Sequence, residues 1–227
     1  MLHTTKGIIL HKIKYRETSL IVRIFTEELG LQSYIVNNVR TKDAYPTSAL
    51  YQSFNLVDLV VYYREQKGLN RIKEIKIISP FYTIHSDFRK STILIFLNEI
   101  INKIIKEQLK DKNLFDFLFQ SIITLEKKEE GVENFHLQFL IFLTRYLGFS
   151  PPSINDLFDQ LLEKKMIDTE KNENILTELM NHDYSYSIAL TATQRSIILN
   201  ILMDYYQLHI ANFYPIRSLN VLKEIMR

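Results

Sequence analysis

A chain of 227 residues with 46% hydrophobic and 24% charged residues has a globular make-up, and enough length for one large domain or two small ones. It has no cysteine, which excludes disulfides, zinc ribbons, iron–sulfur clusters and thiol nucleophiles, and its 5 Gly and 5 Pro are too few for a loop-rich all-β protein. The charge is unevenly placed: residues 1–80 hold 12 Lys and Arg against 7 Asp and Glu, and the remainder 16 against 19, a basic N-terminal surplus that suits a polyanion.

The first 80 residues alternate with a period near two and are rich in β-branched and aromatic side chains. Five strands are predicted. Lys6 to Tyr15 is the first; Ser19 to Thr26 follows, with Leu20, Val22 and Ile24 on one face and Ile21, Arg23 and Phe25 on the other; Leu29-Gly30 turns into Leu31 to Val39. After a polar stretch, Arg40 to Ser53, with a helical turn around Thr47 to Gln52, come Phe54 to Arg64 and Arg71 to Ile78, joined by a hairpin turn at Lys67 to Asn70. Pro80 ends the sheet. Three strands, a short helix and two strands is the element order of an OB-fold barrel.

Beyond Pro80 the apolar period becomes helical. Helices are predicted over Asp87 to Lys110, with a stripe wide enough for a central buried helix, over Asn113 to Glu129, and over Val132 to Leu147, closed by Gly148 and Pro151-Pro152. Residues 153–190 read poorly: a hairpin is expected near Phe158 to Ile167 and a helix near Ile175 to Met180. Thr193 to Leu208 is a further helix, and Ser218 is the expected N-cap of the last, Leu219 to Met226. The fold class expected is α+β: an N-terminal OB-fold barrel, residues 1–80, followed by an all-α helical domain, residues 81–227.

Catalytic patterns are scarce. The sequence has no Gly-x-x-x-x-Gly-Lys phosphate loop and no Gly-x-Ser-x-Gly elbow. Its six histidines are scattered without ligand spacing and are read as surface or satisfied interior residues. Asp156, Asp159 and Glu163 have the spacing of a metal-dependent nuclease, although Asp is also favoured at an ordinary helix start. The apolar run at Gly7 to Leu10 is too short for a signal-peptide core, and Ile93 to Ile105 is broken by Asn98, Glu99, Asn102 and Lys103. A soluble, cytoplasmic non-enzyme without a cofactor and without membrane contact is expected.

What remains is a basic β-module. Lys12, Lys14 and Arg16 close the first strand, Arg23 sits on the second, Arg40 and Lys42 follow the third, and Arg64, Lys67 and Arg71 surround the last hairpin. On a closed barrel they would track phosphates while Tyr15, Tyr34, Tyr62 or Tyr63 stacks on bases. Solvated cations, with tyrosines packed at the barrel ends, are the alternative for these residues, and the runner-up for the whole chain is a protein-only adaptor that touches no nucleic acid.

Three blocks of residues then carry a resemblance. Gly7-Ile8-Ile9-Leu10-His11, Tyr15-Arg16-Glu17-Thr18-Ser19-Leu20 and Phe25-Thr26-Glu27-Glu28-Leu29-Gly30, ending at Val39-Arg40, resemble in order and spacing the N-terminal signature of the RecO family of bacterial recombination mediators. Leu50 and Phe54 fit the family's Leu-x-Pro-Phe region, Leu147-Gly148-Phe149 its Leu-Gly-Phe, and Arg217-Ser218-Leu219 with Leu222 its Lys-Ser-Leu segment. The resemblance implies recombinational DNA repair. Family members bind single- and double-stranded DNA, anneal complementary strands, bind the acidic C-terminal tail of the single-stranded DNA-binding protein, and join RecR to load RecA. It implies DNA contact at Arg40, then at Arg16 and Arg23. Arg217, at a family Lys, is placed either to meet the acidic tail or to steady the Tyr214-Pro215 turn. The chain also departs from the pattern. Relatives often carry a four-cysteine zinc module after Leu-Gly-Phe, where this sequence runs Ser150-Pro151-Pro152-Ser153 without Cys, so no zinc is expected; Asn38 and Ser53 replace a usual Gly and Pro.

Overall fold

The computed structural model describes residues 1–37, 39, 48–64, 68–105, 110–162 and 169–227. Strands β1 (Leu2–Tyr15), β2 (Ser19–Thr26), β3 (Gly30–Val36), β4 (Leu56–Tyr62) and β5 (Asn70–Ile77) form a closed barrel in the order β1-β2-β3-β5-β4, the order of an OB-fold. All neighbours are antiparallel except β3 and β5. The alternation read from the sequence is the pleat: Ile9, Val22, Ile24, Tyr34, Val57, Leu59 and Val61 fill the interior. β1 begins four residues before the expected Lys6, because Leu2 to Ile8 pair with Tyr62 to Leu56.

Two sequence features fix this barrel. Gly7 sits on β1 between β2 and β4, and a Cβ there would come within 2.6 Å of Ile24 Cγ2 and 2.8 Å of Leu59 Cδ1. The Phe-Thr-Glu-Glu-Leu-Gly block is the β2–β3 turn. Thr26 Oγ1 donates to Gly30 O at 2.7 Å and accepts from Leu29 N–H at 3.1 Å, and Gly30 takes φ 67, a region open to glycine at little cost.

Eight α-helices follow among the described residues: α1 (Thr83–Ser86), α2 (Phe88–Ile104), α3 (Lys112–Lys127), α4 (Phe135–Leu147), α5 (Ile154–Leu162), α6 (Thr169–Asn181), α7 (Ala192–His209) and α8 (Ser218–Ile225). The chain divides into two compact units, Met1–Tyr82 with Ile100–Ile122, and Thr83–Glu99 with Ile123–Arg227. In the first unit the outward side of β2 is covered where Phe25 meets Phe115, ring centroids 5.8 Å apart, and Lys112 pairs with Glu27. In the second, α4 is buried along nearly its whole length, Phe135 to Ile141 without a break.

Three expectations are corrected here. The hairpin near Phe158 to Ile167 is instead helical through Leu162: Leu157, Phe158 and Leu161 recur at helical spacing and are buried, and Ser153 Oγ accepts from Asp156 N–H at 3.2 Å to start the helix. Residues 163–168 of that segment lie outside the described residues. Ser218 does not cap the last helix; the Glu99 carboxylate does, accepting from the N–H groups of Arg217 and Ser218, both at 2.8 Å, and from Ser218 Oγ at 2.6 Å. His136 is neither a surface nor a satisfied interior residue: it is fully buried, and neither ring nitrogen has a hydrogen-bond partner among the described residues.

Candidate nucleic-acid interface

The strand register brings two turns beside the end of β3. Leu20↔Val36 sets the β1–β2 turn on one side of it, and Tyr34↔Asn70 and Ile35↔Arg71 set the start of β5 on the other. Arg16 lies in the first turn at φ 52, a conformation unusual for a non-glycine residue, with its guanidinium 5.3 Å from the Tyr15 ring. Lys12 and Lys14 are exposed on the end of β1, which at that point pairs with β2 and, among the described residues, not with β4. Arg23 is half-buried on the outer face between His11 of β1 and Ser33 of β3. Arg40 and Lys42, together with Lys67, lie outside the described residues.

At the second turn the residues converge. A cleft of about 680 Å³ is lined by Met1, Tyr62, Tyr63, Arg64, Leu69, Asn70 and Arg71. Tyr62 is 49% exposed and stands in register between Leu2 of β1 and Arg71 of β5 on the outer face. Tyr63 is half-buried: its N–H donates to Met1 O at 3.0 Å, its carbonyl accepts from the Met1 amino group at 3.2 Å, and the His3 ring meets it edge-on at 5.4 Å. Asn70 braces the floor, with Oδ1 accepting from Arg64 N–H at 3.2 Å and Nδ2 donating to Gln32 Oε1 at 3.2 Å. Exposed guanidinium groups beside a half-exposed ring are able to hold an anion and stack a planar group together.

Of the tyrosines named from the sequence, Tyr62 and Tyr63 line this cleft and Tyr15 lies under Arg16. Tyr34 does not serve. It points into the barrel on the Val22–Tyr34–Asn70 row and is fully buried, and that burial pushes its hydroxyl above the usual tyrosine range, with a smaller push from Tyr63. Sequence reading missed Met1, Leu69 and Asn70. No local pattern carried a signal for the first, since Leu2 to Thr5 extend β1 to the cleft wall through pairing with β4, with Leu2 exposed and Thr5 buried.

In the second unit Arg217 is exposed, and its backbone N–H serves the Glu99 cap. Asp156 is engaged at the start of α5, accepting from Ser153 Oγ at 2.6 Å; Asp159 is exposed and Glu163 lies outside the described residues. The segment after Leu-Gly-Phe does not fit a four-cysteine zinc module. It has no thiol to offer, and among the described residues no three His, Asp or Glu side chains converge. Side chains hold it instead: the Phe149 ring stacks on His209 at 4.7 Å, Tyr205 O–H donates to Phe149 O at 2.8 Å, and His209 Nε2 lies 3.1 Å from Gln160 Oε1. No helix of the described residues is long and apolar enough to cross a membrane.

Comparison with known proteins agrees with the earlier resemblance. Residues 1–81 match the family model for the N-terminal part of recombination protein O, and residues 85–157 match the model for its C-terminal part. The DNA repair protein RecO of Bacteroides fragilis is 36% identical over 240 residues, spanning 99% of both chains. That of Flavobacterium psychrophilum is 36% identical over 234 residues, 97% of this chain and 98% of its own, and that of Porphyromonas gingivalis 26% over 243, 99% of each. With two family models in order along a closed five-stranded barrel and a helical part, and with near full-length relatives, this chain belongs to the RecO family of DNA repair proteins.

Proposed function

We propose that the protein is a DNA-binding recombination mediator. It holds single- and double-stranded DNA on the basic side of its barrel, through Arg16, Arg23, Lys14, Arg64 and Arg71 together with Arg40 and Lys42, and anneals complementary strands. With RecR, and through the acidic tail of the single-stranded DNA-binding protein, it loads RecA in the cytoplasm, without a cofactor; Arg217 is the candidate for the tail. The observation that carries this reading is the placement of Arg16, Arg64 and Arg71 at the two turns flanking the end of β3, on a barrel whose relatives are DNA repair proteins. Cations on a curved β-surface neutralise phosphates of any sequence, which is what annealing requires.

Fluorescence anisotropy of a labelled single-stranded oligonucleotide over a salt series tests it. The logarithm of affinity should fall against the logarithm of salt by about 0.7 for each phosphate neutralised. Arg40→Glu with Arg16→Glu should weaken binding at least tenfold with the circular dichroism unchanged. A peptide copying the acidic tail should bind as well, with a shallower salt slope. Peptide binding without DNA binding at low salt would overturn the proposal and leave a protein adaptor.

A further inference from the structure

We infer that the cleft at the β4–β5 turn takes a single unpaired nucleobase stacked on Tyr62, with the adjoining phosphates on Arg64 and Arg71, and so favours single strands over duplex at this site. The inference rests on the DNA-binding reading and adds which part of the nucleic acid the cleft holds.

Four observations support it. Tyr62 stays half exposed although it sits between Leu2 and Arg71 on the outer face, and the pair Tyr62↔Arg71 lies directly opposite across β4 and β5, close enough for ring and guanidinium to grip one nucleotide. The volume, about 680 Å³, lies within the ordinary range of sites for small planar ligands. The walls are pre-formed, since Tyr63 is tied to Met1 through both backbone groups and Arg64 to Asn70. Among the described lining residues Arg64 and Arg71 carry guanidinium groups that can meet phosphates, and none of those residues carries a carboxylate.

The same geometry sets selectivity. The Asn70 amide, the one side-chain amide among the described lining residues, is engaged at both ends, by Arg64 N–H and by Gln32. What Tyr62 offers a base is its ring face, and stacking on a ring face tolerates every sequence. In a duplex the base faces are covered by their neighbours and only edges are presented, so the ring gains its stack only from an unpaired base.

Tyr62→Leu keeps apolar bulk and removes the ring; Tyr62→Phe restores it. Affinities of the full chain would be measured by anisotropy for a single strand, a blunt-ended duplex and a closed dumbbell duplex without ends, and 2-aminopurine fluorescence in the single strand would report stacking. Tyr62→Leu should weaken single-strand binding about tenfold and relieve the 2-aminopurine quench, Tyr62→Phe should retain both, and neither should change the dumbbell. Unchanged single-strand binding by Tyr62→Leu, an equal loss on the dumbbell, or a Tyr62-dependent affinity for the blunt duplex overturns the inference while DNA binding stands. Failure of the unmodified protein to bind any of the three would remove the wider reading and this one with it.

Discussion

His136 shows what one buried group does to the whole stability curve. Its ring lies edge-on to Phe96 at 6.2 Å inside the helical unit. Burial, and then the charge of Arg195, lower its pKa to about 3, against a weak opposing pull from the Glu133 backbone. Arg195 is itself buried, its guanidinium satisfied by Asn134 Oδ1 at 2.9 Å, Leu190 O at 3.1 Å and Met226 O. The folded chain therefore keeps His136 neutral while the unfolded chain protonates it near pH 6.5, so stability is unaffected above that pH and is lost as pH falls from about 6.5 to about 3. At pH 5 the loss from this group is about 2 kcal/mol, from 1.36 kcal/mol per unit. Urea unfolding at pH 7 and pH 5 should show His136→Leu losing about 2 kcal/mol less than the unmodified protein, and equal losses would show that this histidine does not carry the effect. Sequence reading could not reach this: the scatter of six histidines argues against a metal but says nothing of which one a helix core will enclose.

Elements were legible where a local period decides them. β2 was read to the residue, because Leu20, Val22 and Ile24 face the interior as their alternation requires. Boundaries decided by distant partners were not: β1 gains Leu2 to Thr5 from pairing with β4, and α8 takes its cap from Glu99, 119 residues before Ser218. The α5 segment failed for a different reason, being short and bracketed by charges, so that two apolar clusters looked like two strands. Gly7 tests how tightly the barrel is specified. Its contacts with Ile24 Cγ2 and Leu59 Cδ1 leave no room for a methyl group, and overpacking a barrel interior costs about 1–3 kcal/mol. Gly7→Ala should lower the unfolding free energy of the barrel by that amount in chemical denaturation, and a neutral effect would mean that Ile24 and Leu59 move aside freely.

At the scale of the molecule, composition and period announced a β part and an α part, and the closed barrel with its helices agrees. The candidate site was half legible: Arg64, Arg71, Tyr62 and Tyr63 were named for type and position and do line one cleft, whereas Tyr34 belongs to the core, a distinction the barrel's closure makes and local pattern does not. Harder to read was what lies against the outer side of the strands. Residues 100–122 join the barrel's compact unit: Phe115 packs on Phe25, the Lys6 ammonium stands 5.6 Å from the Phe119 ring, and Asn102 Nδ2 donates to Leu10 O at 3.2 Å. Whether residues 1–80 fold alone is therefore an energetic question. Fully burying one large apolar side chain contributes about 1.5–3 kcal/mol, and cutting the chain at Tyr82 removes the partners of Phe25 and Leu10 and the ion pair of Glu27, from a domain whose total stability is on the order of 5–15 kcal/mol. A fragment of residues 1–127 should unfold cooperatively with a β-rich circular dichroism spectrum, and a fragment of residues 1–82 should be less stable by several kcal/mol or fail to fold. Equal denaturation midpoints for the two fragments would make the strands self-sufficient and reduce residues 100–122 to a cover, in which case the candidate cleft, whose described lining residues all precede Ser79, should bind oligonucleotides equally well in both if the proposed function holds.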